Sequence, residues 1–186
     1  PDVVHGVFYG VGLNHAKANN LHSFMEPLEP PASHHVKAAF GWIELGNVDE
    51  ALAELDCIAP DLQSLLPVKA SRLDCLIAGE RWDDAVKLAA QLCVDYPDES
   101  GFWLHNAYAT RRFEGGSIEA AYEILAPCVE RFPEEWLIAY NVACYLCRMD
   151  RLSEAEAMLE IARLSGAERV DELAKEDEDL SALRKL

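Results

Sequence analysis

Residues 70–89 read ASRLDCLIAGERWDDAVKLA. An apolar stretch with helical spacing runs to Ala78, a short polar turn (Gly79, Glu80, Arg81) interrupts it, and a second stretch begins at Trp82. Trp82, Ala85 and Ala89 lie three and four residues apart, on one face of a helix. Asp83 and Asp84 sit in that helix's first turn, where carboxylates face the positive end of the dipole. The stretch predicts two helices folded back on each other.

The same pattern occurs four times. AAFGWIELGNVDEALAEL (38–55), HNAYATRRFEGGSIEAAYEIL (105–125) and NVACYLCRMDRLSEAEAML (141–159) align with it. The key alanines are Ala51, Ala85, Ala121 and Ala155, spaced 34, 36 and 34 residues apart. Three residues before them stand Val48, Trp82, Ile118 and Leu152; four after come Leu55, Ala89, Leu125 and Leu159. Pro97 and Pro133 mark where a second helix stops and the next unit starts. Gly46, Gly79 and Gly115-Gly116 lie in three of the internal turns, and Asp150 takes that place in the fourth.

These residues resemble the tetratricopeptide (TPR) repeat family, bacterial type, whose unit is a helix–turn–helix of about 34 residues. Ala39, Leu73, Ala107 and Ala143 fall where the family's first helix keeps a generally small residue, and Trp103 where it often has an early Trp. The resemblance implies an all-α, right-handed α-solenoid of four repeats (32–65, 66–99, 100–135, 136–169). Residues 1–31 form an N-terminal arm or a non-native extension, with Met25 a candidate true start, and 170–186 a C-terminal capping segment. Departures carry their own expectations. Pro60 makes CIAPDLQSLLP an irregular junction, and Pro127 bends the third unit's second helix. EDED (176–179) reads as a solvated start to the last helix.

Cys144 and Cys147 form a C-x-x-C pair. A redox pair of that spacing works when the first thiol caps a helix N-terminus. Here both fall inside a helix predicted over 136–148. A structural zinc site needs two further ligands, yet the nearest cysteine is Cys128 and no His follows His105. Packed helix residues is the reading favoured, with a metal- or redox-active protein kept as the alternative. His34-His35 read as N-terminal surface, since adjacent helix residues point apart. Asp83-Asp84 and Glu134-Glu135 read as first-turn carboxylates rather than acid/base pairs. No phosphate-cradling, dinucleotide, zincin or nucleophile-elbow motif is present.

Family geometry places the first helix of each unit on a concave groove. It implies a partner-binding face of Val36, Phe40 and Ile43; Ala70, Asp74 and Ile77; Leu104, Tyr108, Arg111 and Arg112; and Tyr140, Cys144, Cys147 and Arg148. One end is apolar and aromatic, the other carries arginines that either orient an acidic group or pair with neighbours such as Glu114 and Asp150. Lys and Asn at Val36, Phe40, Ala70 and Asp74 would mark a clamp for chaperone C-termini, and they are absent.

Thirty-three acidic against 16 basic residues give a net charge of −17. Such a polyanion repels phosphate, which argues against nucleic acid and anionic lipid as partners. No apolar run approaches the ~20 residues that span a bilayer. The six cysteines are too dispersed for a disulfide framework, and the first 24 residues lack a basic signal-peptide start. Together these imply a cytoplasmic, non-catalytic scaffold or adaptor without cofactor or metal, binding a protein or peptide. A TPR-type secretion chaperone is the alternative within that class.

Overall fold

The computed structural model of the protein describes residues 28–185. Met25, the candidate true start, lies outside the described residues, as does the expected arm up to residue 27. Among the described residues the protein is all helical, with no strand. The helices are α1 (Ala32–Glu44), α2 (Val48–Asp56), α3 (Leu66–Ala78), α4 (Trp82–Asp95), α5 (Ser100–Thr110), α6 (Ile118–Leu125), α7 (Cys128–Arg131), α8 (Trp136–Arg148) and α9 (Leu152–Ala174). Two 3₁₀ turns, Glu178–Leu180 and Leu183–Lys185, follow. Each helix packs on its neighbours in the chain, α1 also packs on α3, and α6 on α8.

One backbone device makes three of the hairpins. At the end of α1, α3 and α8 the chain closes a Schellman motif around a single left-handed residue. Those residues are Gly46 (φ 76°), Glu80 (φ 53°) and Asp150 (φ 62°). The outer bonds run from the Asn47, Arg81 and Arg151 amides to the Trp42, Leu76 and Leu146 carbonyls, at 2.8, 2.9 and 2.9 Å. The inner bonds join Gly46 to Ile43, Glu80 to Ile77 and Asp150 to Cys147. Each outer donor is then the N-cap of the next helix, and its carbonyl accepts from Ala51, Ala85 or Ala155. In the third unit the insertion replaces this turn: Gly115 is left-handed (φ 90°), and Ser117 caps α6 through its hydroxyl. Ala121 still bonds back to the Ser117 carbonyl.

All four of these alanines are fully buried, as are Leu73, Ala107 and Ala143 on the facing helices, with Ala39 nearly so. A methyl group at the crossing lets two backbones approach where a larger side chain would hold them apart. The apolar residues gather in two clusters. A small one joins α1, α2 and the start of α3 through Ala39, Leu55, Ile58 and Val68. The large one runs from α3 to Leu180.

The prolines act as the sequence implies. Pro60 lies in a run of turns between α2 and α3, and Pro127 separates α6 from the single-turn α7. At the C-terminus α9 continues to Ala174 through a kink at Gly166 (φ −138°, ψ 27°), and the expected cap takes the form of the two short 3₁₀ turns. Gly166 lies on Trp136: a Cβ there would come within 2.4 Å of the Trp136 Cγ.

The turn after α3 separates two roles that its sequence merges. Gly79 is not the left-handed residue; it is glycine because a Cβ would stand 2.6 Å from the Val48 Cγ1. Glu80 carries the positive φ, at a strain of about 1–2 kcal/mol for an L-residue. Gly79→Ala therefore lowers stability by about 1–3 kcal/mol by overpacking. Glu80→Gly raises it by about 0.5–1 kcal/mol, the relieved strain less glycine's entropy. Thermal or urea unfolding followed by circular dichroism reads both.

Candidate functional site

The residues expected on one face divide into three groups. Val36, Phe40 and Ile43 on α1 are half-buried; Val36 and Ile43 border the small cluster, while among the described residues Phe40 belongs to neither cluster. In the middle, Ala70, Ile77, Leu104 and Tyr108 are buried. Tyr108 is covered by Arg112, whose guanidinium lies 3.6 Å from the ring centroid and donates to the Tyr108 carbonyl. Trp82 meets the same ring edge-on at 5.8 Å. These four are therefore not an open surface, because their own neighbours fill the space in front of them.

At the far end, Tyr140, Cys144 and Cys147 are also buried, which corrects the expectation that they line an open groove. The cover is the chain's own C-terminus. The Tyr140 hydroxyl donates to Asp177 Oδ2 at 2.8 Å, and the Cys144 thiol donates to the same oxygen at 3.6 Å. Asp177 Oδ1 accepts from the Asp179 amide at 3.0 Å. Arg111 grips both Asp179 oxygens, with Nη2 to Oδ1 at 2.9 Å. Arg148 Nε lies 3.7 Å from the same carboxylate, and half of its side chain remains exposed. Leu180 is 1% exposed in the large cluster, and Arg184 ties the turn back to the Ala174 and Asp177 carbonyls.

Two sequence expectations change here. EDED is solvated only in part: Glu176 and Glu178 are exposed, whereas Asp177 is 5% exposed and Asp179 meets two arginines. The arginines do pair internally, and Arg111 and Arg148 both meet Asp179, a partner that nothing nearby in the sequence names. No local pattern signals a contact between positions 68 residues apart. His35 also has a partner: its Nδ1 lies 2.8 Å from Glu54, whose carboxyl is held below its ordinary range by that bond. Asp83 and Asp84 occupy the first turn of α4, whereas Glu135 is the N-cap of α8 and Glu134 precedes it.

Compared with known proteins, the chain matches no family model, no curated protein and no solved structure.

Its chemistry is read from its own side chains. The five buried thiols are Cys75, Cys93, Cys128, Cys144 and Cys147. Burial pushes Cys75 and Cys93 up to about 12, and Cys144 well above its ordinary value with the nearby Asp177 adding to the effect. A thiol held protonated is a poor nucleophile and metal ligand. No group of three or more His, Cys, Asp or Glu side chains that could hold a metal ion exists among the described residues. Only Cys57 is exposed. Titration with a thiol reagent gives one fast equivalent in the native protein and six after denaturation; a fast second equivalent mapped by peptide mass spectrometry to Cys144 or Cys147 would locate reactivity at the C-x-x-C pair.

One buried pair titrates in opposite senses. Asp74 on α3 faces His105 on α5, with His105 Nε2 3.8 Å from Oδ1, and Asp74 Oδ2 is enclosed without a hydrogen-bond partner. Burial raises the Asp74 carboxyl to about 7 and lowers the His105 imidazole to about 4. Between pH 4 and 7 the folded protein holds the Asp74 proton more tightly than the unfolded chain, so this group costs stability as pH rises. Between pH 4 and 6.5 the unfolded chain protonates His105 more readily, so that group adds stability as pH rises. The two slopes oppose each other. Asp74→Asn removes the first, so the variant's stability relative to the parent climbs from pH 4 to 7 and is then constant. The climb is at most about 4 kcal/mol, at 1.36 kcal/mol per unit. Melting temperatures of both proteins across that range check it.

Proposed function

We propose that the protein is a non-catalytic protein-interaction module, a scaffold or adaptor built as a right-handed solenoid of TPR-like repeats. Three matching Schellman turns and four buried alanines, each bonded back to its helix N-cap, support equivalent helix pairs stacked in sequence. In that arrangement α1, α3, α5 and α8 line one concave side. The observation that carries binding is the state of its N-terminal end, where Val36, Phe40 and Ile43 keep exposed area at one helix face. Partly buried aromatic and aliphatic side chains of that kind anchor a peptide by burying apolar surface. The partner is a protein or peptide, because the −17 charge disfavours nucleic acid and anionic membranes. No described helix is long and apolar enough to cross a membrane. Six free cysteines accord with a reducing, cytoplasmic setting.

Phe40→Ala tests the reading. Proteins captured from lysate by the parent chain and identified by mass spectrometry are lost by this variant, which still melts cooperatively after a loss of about 1–2 kcal/mol from the half-buried ring. Leu164→Ala, at an 86% exposed position outside the proposed groove, leaves capture unchanged. Equal capture by the parent and Phe40→Ala moves the binding surface elsewhere.

A further inference from the structure

The C-terminal turn lies where a groove ligand would lie. It spans α8 and the C-terminal end of α5, the first helices of the last two units, and it meets them through three of its four side chains. Asp177 enters between Tyr140 and Cys144, Asp179 reaches Arg111 and Arg148, and Leu180 fills the apolar space beside them. Between them Glu178 points outward and is exposed. The turn is short; besides its Asx bond, the Arg184 bonds and the backbone bonds of one 3₁₀ turn, its hold comes from the receptor side chains.

We propose that this cradle is a receptor for an acidic segment of pattern Asp-x-Asp-Leu on a protein partner, and that residues 177–180 are its resident occupant, exchanged for the partner's segment. The inference rests on the groove-binding reading above and names the chemistry of its second anchor point. Charge complementarity carries it. Arg111, in its two-pronged grip on one carboxylate, offers the planar fork that carboxylates match best. Arg148 remains half exposed beside it, so the site meets solvent on that side and an incoming carboxylate has a point of entry. The Tyr140 hydroxyl and Cys144 thiol present two donors to the second carboxylate, and neither is ionised near neutral pH. A donor pair and an arginine fork, one residue apart along the ligand, discriminate two successive carboxylates from apolar or basic side chains. Tethering gives the resident turn an effective concentration of roughly millimolar, so a free segment competes only if it binds more tightly or is anchored elsewhere as well.

The test uses the full chain with Asp177→Asn and Asp179→Asn, which keeps the turn's size but removes both charges. A fluorescent peptide copying residues 174–183 serves as probe, read by anisotropy, with hydrogen exchange of the unaltered protein measured alongside. The peptide binds the variant at least tenfold more tightly than the parent. Its affinity falls steeply with salt, and a peptide carrying Asn at both Asp positions does not bind. In the parent, amides 176–182 exchange orders of magnitude faster than those of α8, reporting local release of the turn. The proposal is overturned if the variant melts cooperatively yet binds no peptide. It is equally overturned if the variant fails to fold, if the turn exchanges only with global unfolding, or if the variant dimerises by swapping its C-terminus. The first of these leaves the Phe40 anchor intact, because capture through α1 does not use the cradle; failure of the Phe40 test with peptide binding retained has the opposite meaning.

Discussion

Everything in this fold depends on how closely two helices cross at an alanine. Ala51, Ala85, Ala121 and Ala155 have no accessible surface, and Ala39, Ala107 and Ala143 are all but closed off on the partner helices. Each such pair also packs on the next helix in the chain. α8 is the helix enclosed furthest. Every residue from Leu137 to Cys147 is buried, so this helix is enclosed on all sides rather than on one stripe. Its neighbours α6, α7 and α9 cover part of it, and the turn carrying Leu180 covers the remainder.

Closing that last face with acids has a cost, which the arrangement of donors offsets. A carboxylate removed from water is unfavourable by several kcal/mol unless its lone pairs are matched. Asp177 receives three donors and Asp179 two guanidinium groups. Asp74 presents the contrast within the same molecule. Its outer oxygen is enclosed without a partner, and burial alone drives its carboxyl toward the neutral form. Asp177 and Asp179 meet donors that Asp74 Oδ2 lacks.

Much of the architecture was legible because it is written in local pattern. The 136–148 helix, the break at Pro127 and the irregular stretch at Pro60 follow from periodicity and from proline's missing donor. The alanine spacing located every hairpin. What stayed hidden was set by space or by distant contacts. Gly79 reads as a turn glycine, but it is the Val48 side chain, 31 positions earlier, that excludes a Cβ there. Glu80 gives no sign of its left-handed backbone. EDED looks solvated because four charges in a row usually are, and nothing nearby in sequence names Arg111 as its counterpart. The candidate face was legible as a set of positions; its occupancy was not, since the chain supplies its own cover from the far end.

On the proposed binding reading, the two ends of that face constrain a ligand's direction. Arginines gather at the α5–α8 end, and half-exposed apolar side chains at α1. Between them Ala70, Ile77, Leu104 and Tyr108 are buried and Asp74 Oδ2 is enclosed, so a ligand's contacts fall at the two ends. On that reading the face favours a segment with its acids clustered at one terminus and its apolar anchors at the other. Reversing such a segment sets its acids against Phe40 and its apolar residues against the arginine fork, so both sets of contacts are lost together. Orientation would follow from this charge layout alone, without any contact specific to one sequence.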